Sequence, residues 1–141
     1  MFLLDTNVLS AMMRGEPVSA VAAWVSRQSV DLLFTAAVCQ AEVLAGIAIL
    51  PDGRRRRALE VAAQSMFLED FEGRVLPFDA TAATAYADIF AVRRRAGRPM
   101  AAVDLMIAAI ARSQGATLVT RNITDFDECA VGIVNPWTAG P

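Results

Sequence analysis

The chain has 141 residues, a 55% hydrophobic composition and 13 basic against 15 acidic residues, for a formal charge of −2. That length suits one domain with a substantial core, and the near-balanced charge argues against a broad basic field for nucleic acid. There is no histidine and no lysine anywhere. Histidine-activated nucleophiles, histidine-bound zinc, Schiff-base lysines and P-loop lysines are therefore excluded. Any chemistry falls to carboxylates, hydroxyls, amides, arginine or a bound ion.

In chain order, Phe2, Leu3 and Leu4 read as a short buried strand, with Asp5-Thr6-Asn7 at its junction with a helix, where their side chains can meet free backbone donors. Pro17 opens a second helical stretch with Val18, Val21, Ala22 and Val25 at helical spacing, ending near Ser29. LLFTA, residues 32–36, is a second buried strand, and the apolar run to Leu50 a helix closed by the turn Pro51-Asp52-Gly53. Residues 54–67 pair an arginine-rich start with Leu59, Ala62, Ala63 and Met66, which predicts a helical hairpin with the preceding helix.

VLPF, residues 75–78, is a third strand, and Asp79 or Thr81 caps a helix through Arg95 that stops around Gly97 and Pro99. Asp104 lies in the first turns of a further helix ending near Gly115. TLVT, residues 117–120, is a fourth strand and VGIVN, residues 131–135, a fifth at the sheet edge. Short apolar strands alternating with longer helices predict an α/β fold around a largely parallel sheet, over one domain spanning residues 1–141. Functional groups in such folds gather beyond the carboxyl ends of the strands, where Asp5 follows the first and Arg121, Asn122 and Asp125 follow the fourth.

Asp5, Glu42 and Asp104 are each a lone charge in a stretch that otherwise reads as core. An isolated buried carboxylate is costly and tends to take up a proton, so three of them suggest a shared partner, most simply a divalent cation. Each has a plainer alternative: Asp5 as a helix cap, Glu42 on a solvent stripe, Asp104 as an acid at a helix start. Gly46, one turn after Glu42, either admits a substrate backbone or allows close helix packing. The arginines at 54–57 and at 93, 94, 95 and 98 are open to three readings: solvated helix faces, guides for phosphates, or a patch for an acidic segment of a partner protein. Cys39 and Cys129 are read as core packing, and Thr6 and Thr120 as local hydrogen-bonding residues.

Asp5 in LLDTNV, Glu42 in AEVLAG, Asp104 in VDLMIAAIA and the later LVTRNITDF resemble the successive motifs of PIN-domain ribonucleases. The resemblance covers nearly the whole chain and is greatest to VapC-type toxins of bacterial toxin–antitoxin pairs, in the FitB-like subgroup that the ending FDECAVGIVNPW also resembles. It implies a PIN-like three-layer α/β/α sandwich. It further implies Asp5 and Asp104 as ligands of Mg²⁺ or Mn²⁺, Glu42 completing the site, and hydrolysis of RNA to a 5′-phosphate and a 3′-hydroxyl. Many relatives carry an acid where this chain has Asn122, and Asp125 stands three residues later; either could serve that fourth position.

The partners implied are RNA, a small DNA-binding antitoxin whose tail covers the site, and a second copy of the chain, with Trp24, Phe67, Phe71 and Trp137 as candidates for the covered surface. Two alternatives share the pattern: a non-catalytic partner-binding subunit with a PIN-like fold, and a structure-specific DNA nuclease. The opening MFLLDTN lacks the features of a secretory signal, and no apolar run reaches the roughly 20 residues of a membrane span, so a cytoplasmic protein is expected.

Overall fold

The computed structural model describes residues 1–15 and 19–140. Its centre is a five-stranded, wholly parallel sheet formed by β1 (Phe2–Leu4), β2 (Leu33–Ala36), β3 (Val75–Leu76), β4 (Thr117–Val119) and β5 (Ile133–Val134), in the order β3-β2-β1-β4-β5. The helices are α1 (Thr6–Met13), α2 (Ala20–Ser26), α3 (Ala37–Ala48), α4 (Arg54–Ser65), α5 (Ala80–Arg95) and α6 (Ala102–Gln114). The result is a three-layer α/β/α sandwich, because parallel strands need crossovers and the crossing helices cover the sheet. Both central strands are fully apolar where they pass through the core: Leu3, Leu4, Leu118 and Val119 are wholly buried.

The strand order matters for function. From β1 the chain steps to β2 and β3 on one side, then returns to β4 on the other side of β1 and continues outward to β5. The connections leaving β1 and β4 therefore diverge, and a crevice opens between their carboxyl ends, the usual location of sites in open α/β sheets.

Local chemistry accounts for the boundaries. Asp5, Ser19 and Asp79 cap α1, α2 and α5 by accepting hydrogen bonds from the amides of Thr6, Ala22 and Ala82. Gly115 ends α6 in the left-handed conformation at φ +65°, which favours glycine. The strands are shorter than expected, since β3 stops at Leu76 ahead of Pro77, which has no amide to offer a ladder. Beyond Ser65 the helix widens into a π-turn over Met66–Asp70 instead of ending near Phe67. The expected helix start at Pro17 and Val18 lies outside the described residues.

Cys39 and Cys129 are buried, and burial pushes the Cys39 thiol up to about 12, as befits packing groups. Trp24, Phe67 and Phe71 are also core residues, at 6%, 5% and 3% exposure, so they do not offer a surface to a second copy. The apolar side chains that do reach solvent are scattered over several elements, such as Ile49, Val61, Leu68 and Phe90. Among the described residues no helix is long and apolar enough to cross a membrane.

Candidate active site

Asp5 sits at the carboxyl end of β1 with 4% exposure, its amide still in the ladder with the Val119 carbonyl at 2.9 Å. Its carboxylate is held from three directions. Oδ1 accepts from the Thr6 amide at 2.8 Å, while Oδ2 accepts from the Thr120 hydroxyl at 2.8 Å and the Asn7 amide nitrogen at 3.4 Å. Thr120, fully buried at the end of β4, has its own lone pairs occupied by the Asn7 side-chain nitrogen at 3.3 Å and the Asn122 amide at 3.1 Å. Asn7 Oδ1 in turn accepts from the Arg121 amide at 3.3 Å. This lattice of neutral groups ties the ends of β1 and β4 together and orients Asp5.

Asp5 therefore has neutral hydrogen-bond partners of its own, and these only partly offset its burial. What the neutral donors leave is a net upward push from desolvation, to which repulsion adds. Burial pushes the Asp5 carboxyl above its ordinary value, the Thr120 and Thr6 bonds pull it down, and the charges of Glu42 and Asp125 push it up again. Asp104, half-buried in the first turn of α6, is likewise pushed up by desolvation, then by Asp5, Glu42 and Asp125. Four carboxylates from four separate elements thus share one electrostatic neighbourhood.

Glu42 differs from the other two expected acids: it is solvent-exposed on α3, not buried. Its Oε1 accepts from the Thr6 hydroxyl at 2.6 Å, which ties it to the residue next to Asp5. Asn122 joins the site through its backbone, the exposed side chain making no hydrogen bond among those described. Asp125, in the 3₁₀ turn Ile123–Phe126, brings negative charge to both Asp5 and Asp104. Arg121 lies with its guanidinium 4.5 Å from the Trp137 ring centroid, a cation–π contact that occupies this aromatic within the chain.

A groove of about 470 Å³ adjoins Thr6 and Glu42, walled by Met13, Val43, Ile47 and Leu59, with Arg14 and Arg55 on its lining. Gly46 faces this groove, and a Cβ there would meet nothing within 4 Å, so helix packing does not explain the glycine. The two arginine clusters also separate. Arg56, half-buried, pairs with Asp52 at 3.1 Å and Glu60 at 2.9 Å, whereas Arg93 is buried and Arg98 pairs with Asp127 and Glu128. Neither Arg93 nor Arg98 is a free guide for phosphates.

Among the described residues no group of three or more Asp, Glu, Cys or His side chains is placed to hold a metal ion. Mg²⁺ commonly uses only one or two carboxylates and keeps several waters. The residues fit such an open site: Asp5 Oδ1 accepts one described hydrogen bond, leaving a second lone pair, and the repulsion among four acids is what a divalent cation would relieve. Sequence reasoning missed Asn7 and Thr120 as the holders of Asp5. The signal was the run of polar residues immediately following each central strand.

The PIN domain pattern matches residues 2–131. Across 137 residues the chain is 37% identical to "VapC ribonuclease Y4jK" of Sinorhizobium fredii, covering 97% of this chain and 98% of that protein. It is 36% identical to "Toxin FitB" of Neisseria gonorrhoeae over 137 residues, 97% of this chain and 99% of the toxin. The solved structure of FitAB bound to a DNA fragment superposes with a TM-score of 0.91 at 35% identity, covering 100% of this chain and 99% of that one. With the acids gathered where β1 and β4 diverge, and full-length similarity on both sequence and structure, the chain belongs to the PIN-domain family, among its VapC-type toxins.

Proposed function

We propose that this chain, acting as one PIN domain, is a divalent-metal-dependent endoribonuclease and the toxin of a toxin–antitoxin pair. The observation that carries this reading is the electrostatic neighbourhood that Asp5, Glu42, Asp104 and Asp125 share at the carboxyl end of the sheet, with Asp5 oriented by Thr6, Asn7 and Thr120. The names of the two relatives support the activity and the toxin identity. In this reading Asp5 and Asp104 hold Mg²⁺, or Mn²⁺ in its place, and Glu42 completes the site through Thr6 and water. Asp125 serves the fourth acidic position, with Asn122 limited to hydrogen bonding. A bound divalent ion supplies two things there, acidification of a water nucleophile and neutralisation of charge on the scissile phosphate.

The chain's own residues do the rest. Thr120 and Asn7 keep the Asp5 carboxylate fixed, Thr6 keeps Glu42 turned toward the crevice, and Arg121, braced on Trp137, offers a cation to RNA phosphate at the acidic rim. The groove beside Glu42 accommodates the inhibitory tail of the antitoxin, a small DNA-binding protein; the FitAB complex on DNA supports a partner of that kind. The toxin acts in the cytoplasm and pairs with a second copy of itself. Since Trp24, Phe67 and Phe71 are core residues, that pairing uses other side chains.

Asp5→Asn and Asp104→Asn are expected each to lower Mg²⁺-dependent cleavage of single-stranded RNA by more than about a hundredfold, beyond the 10–100-fold typical of losing an outer-shell group. Far-UV circular dichroism should remain unchanged. Full activity in either variant defeats the assignment, and preferential cleavage of flapped DNA defeats the choice of substrate.

A further inference from the structure

Arg93 is the one arginine buried in the core, with 5% exposure, near the carboxyl end of α5. Among the described residues it has no carboxylate partner. Its guanidinium is satisfied by backbone carbonyls instead: Nε donates to Arg98 at 2.6 Å, and Nη1 to Asp125 at 3.1 Å and Asp127 at 2.7 Å. Burying a cation is costly, and here it meets carbonyls on both sides of Phe126. Those carbonyls belong to the turn that bears Asp125.

The same turn is fastened elsewhere. Phe126 and Cys129 are 2% and 1% exposed, and Arg98 on the outside donates to the Thr124 carbonyl at 3.4 Å and pairs with Asp127 and Glu128 at 3.6 Å each. Glu128 and Ala130 hold left-handed backbone at φ 61° and 55°, a conformation that non-glycine residues keep when surrounding contacts impose it. The segment from 124 to 130 is therefore shaped by its contacts with α5 and the Arg98 turn.

We infer that Arg93 is a positioning residue for the acidic site: by bonding the carbonyls of Asp125 and Asp127 from beneath, it sets the direction in which the Asp125 carboxylate faces Asp5 and Asp104, with Arg98 as the outer clamp. A guanidinium is suited to this because its planar fork addresses several carbonyls at once, whereas a lysine ammonium is a single point donor. The inference deepens the proposed metal site and rests on that reading.

Mn²⁺ binding to the full chain, followed by the electron paramagnetic resonance signal of free Mn²⁺, tests it without reference to turnover. The set comprises the unmodified chain, Arg93→Lys, Asp125→Asn and the double variant. Asp125→Asn and Arg93→Lys are each expected to weaken Mn²⁺ affinity by about tenfold, the lower end of the range for outer-shell losses. The double variant should bind no more weakly than Asp125→Asn alone, because Arg93 acts through that carboxylate. An equal weakening by Arg93→Lys in both backgrounds, or none in either, overturns the inference while leaving the metal site standing. Unchanged affinity in Asp125→Asn overturns it as well. No Mn²⁺ binding by the unmodified chain at millimolar ion overturns the metal reading and this inference together. If Arg93→Lys does not fold, Arg98→Ala replaces it, with a smaller weakening that must likewise vanish in the Asp125→Asn background; persistence there overturns the inference.

Discussion

The inner wall of the crevice and its outer rim hold carboxylates by opposite means. On the inner wall Asp5 is 4% exposed and bonded by Thr6, Asn7 and Thr120, all neutral groups anchored on β1 and β4. On the rim Glu42 is exposed and described with a single bond, from Thr6, while Asp104 and Asp125 stand on the first turns of helical segments. Neutral donors let an acid be buried without cancelling its charge, as an arginine partner would. Solvent reaches Glu42 and Asp125 on the rim, whereas desolvation pushes the half-buried Asp104 up. The contrast teaches that such a site can gather acids on both sides while only one side is tightly bonded.

If the inner wall is the rigid part, loosening the bonds that hold Asp5 should cost more than loosening the one that holds Glu42. Asp5→Asn, with its loss of more than about a hundredfold, is the upper limit. Thr120→Val removes the hydroxyl but keeps the shape, leaving a buried carboxylate oxygen with only the long Asn7 contact. Cleavage should fall by about 10–100-fold, and urea unfolding should report a loss of about 1–3 kcal/mol from the unsatisfied group. Equal activity in Thr120→Val would remove the distinction between wall and rim. Glu42→Gln, which keeps the acceptor for Thr6, should cost less, about tenfold or below, by the lower bound for supporting ligand groups.

Protonation offers a finer probe. Asp5 and Asp104 are both pushed above the ordinary Asp value, so the metal-free folded chain binds their protons more tightly than the unfolded chain does. Their ionisation then weakens folding: stability is fuller below the unfolded value of about 3.9 and is lost as pH rises through the raised folded values. Asp104→Asn should therefore raise the melting temperature of the metal-free chain at neutral pH, with the gain shrinking as the pH is lowered toward about 4. A fall in melting temperature at neutral pH would mean that the acids do not repel one another. The smallest effect is expected at Arg56→Ala, whose partners Asp52 and Glu60 are on the solvent side: cleavage unchanged, and stability lower by no more than about 1 kcal/mol.

Arginines illustrate the limit of reading residues singly. Arg56 and Arg93 both stand in tight clusters on helices, and one is a surface ion-pair residue while the other is buried under the Asp125 turn. Run length and charge do not distinguish them. Glu42 and Asp5 present the same difficulty, each a lone acid in an apolar stretch, one exposed and one not. Apolar runs, helical spacing and turn signals, by contrast, located α3 to α6 closely. The strands came out shorter than their apolar runs, since apolar residues continue past the ladder into the loops that cover it.

Local interactions determined much from the amino-acid order alone. The alternation of short apolar strands and helices, the caps at Asp5 and Asp79, the stop at Gly115 and the separation of acids along the chain all follow from groups within a few residues of one another. Tertiary structure alone decided that β4 lies beside β1, which brings Thr120 to Asp5 across 115 positions, and that Arg93 reaches the carbonyl of Asp125. Those pairings depend on which strands are neighbours and on how α5 seats against the turn after β4. No local pattern encodes a hydrogen bond between residues that meet only once the sheet has closed over its core.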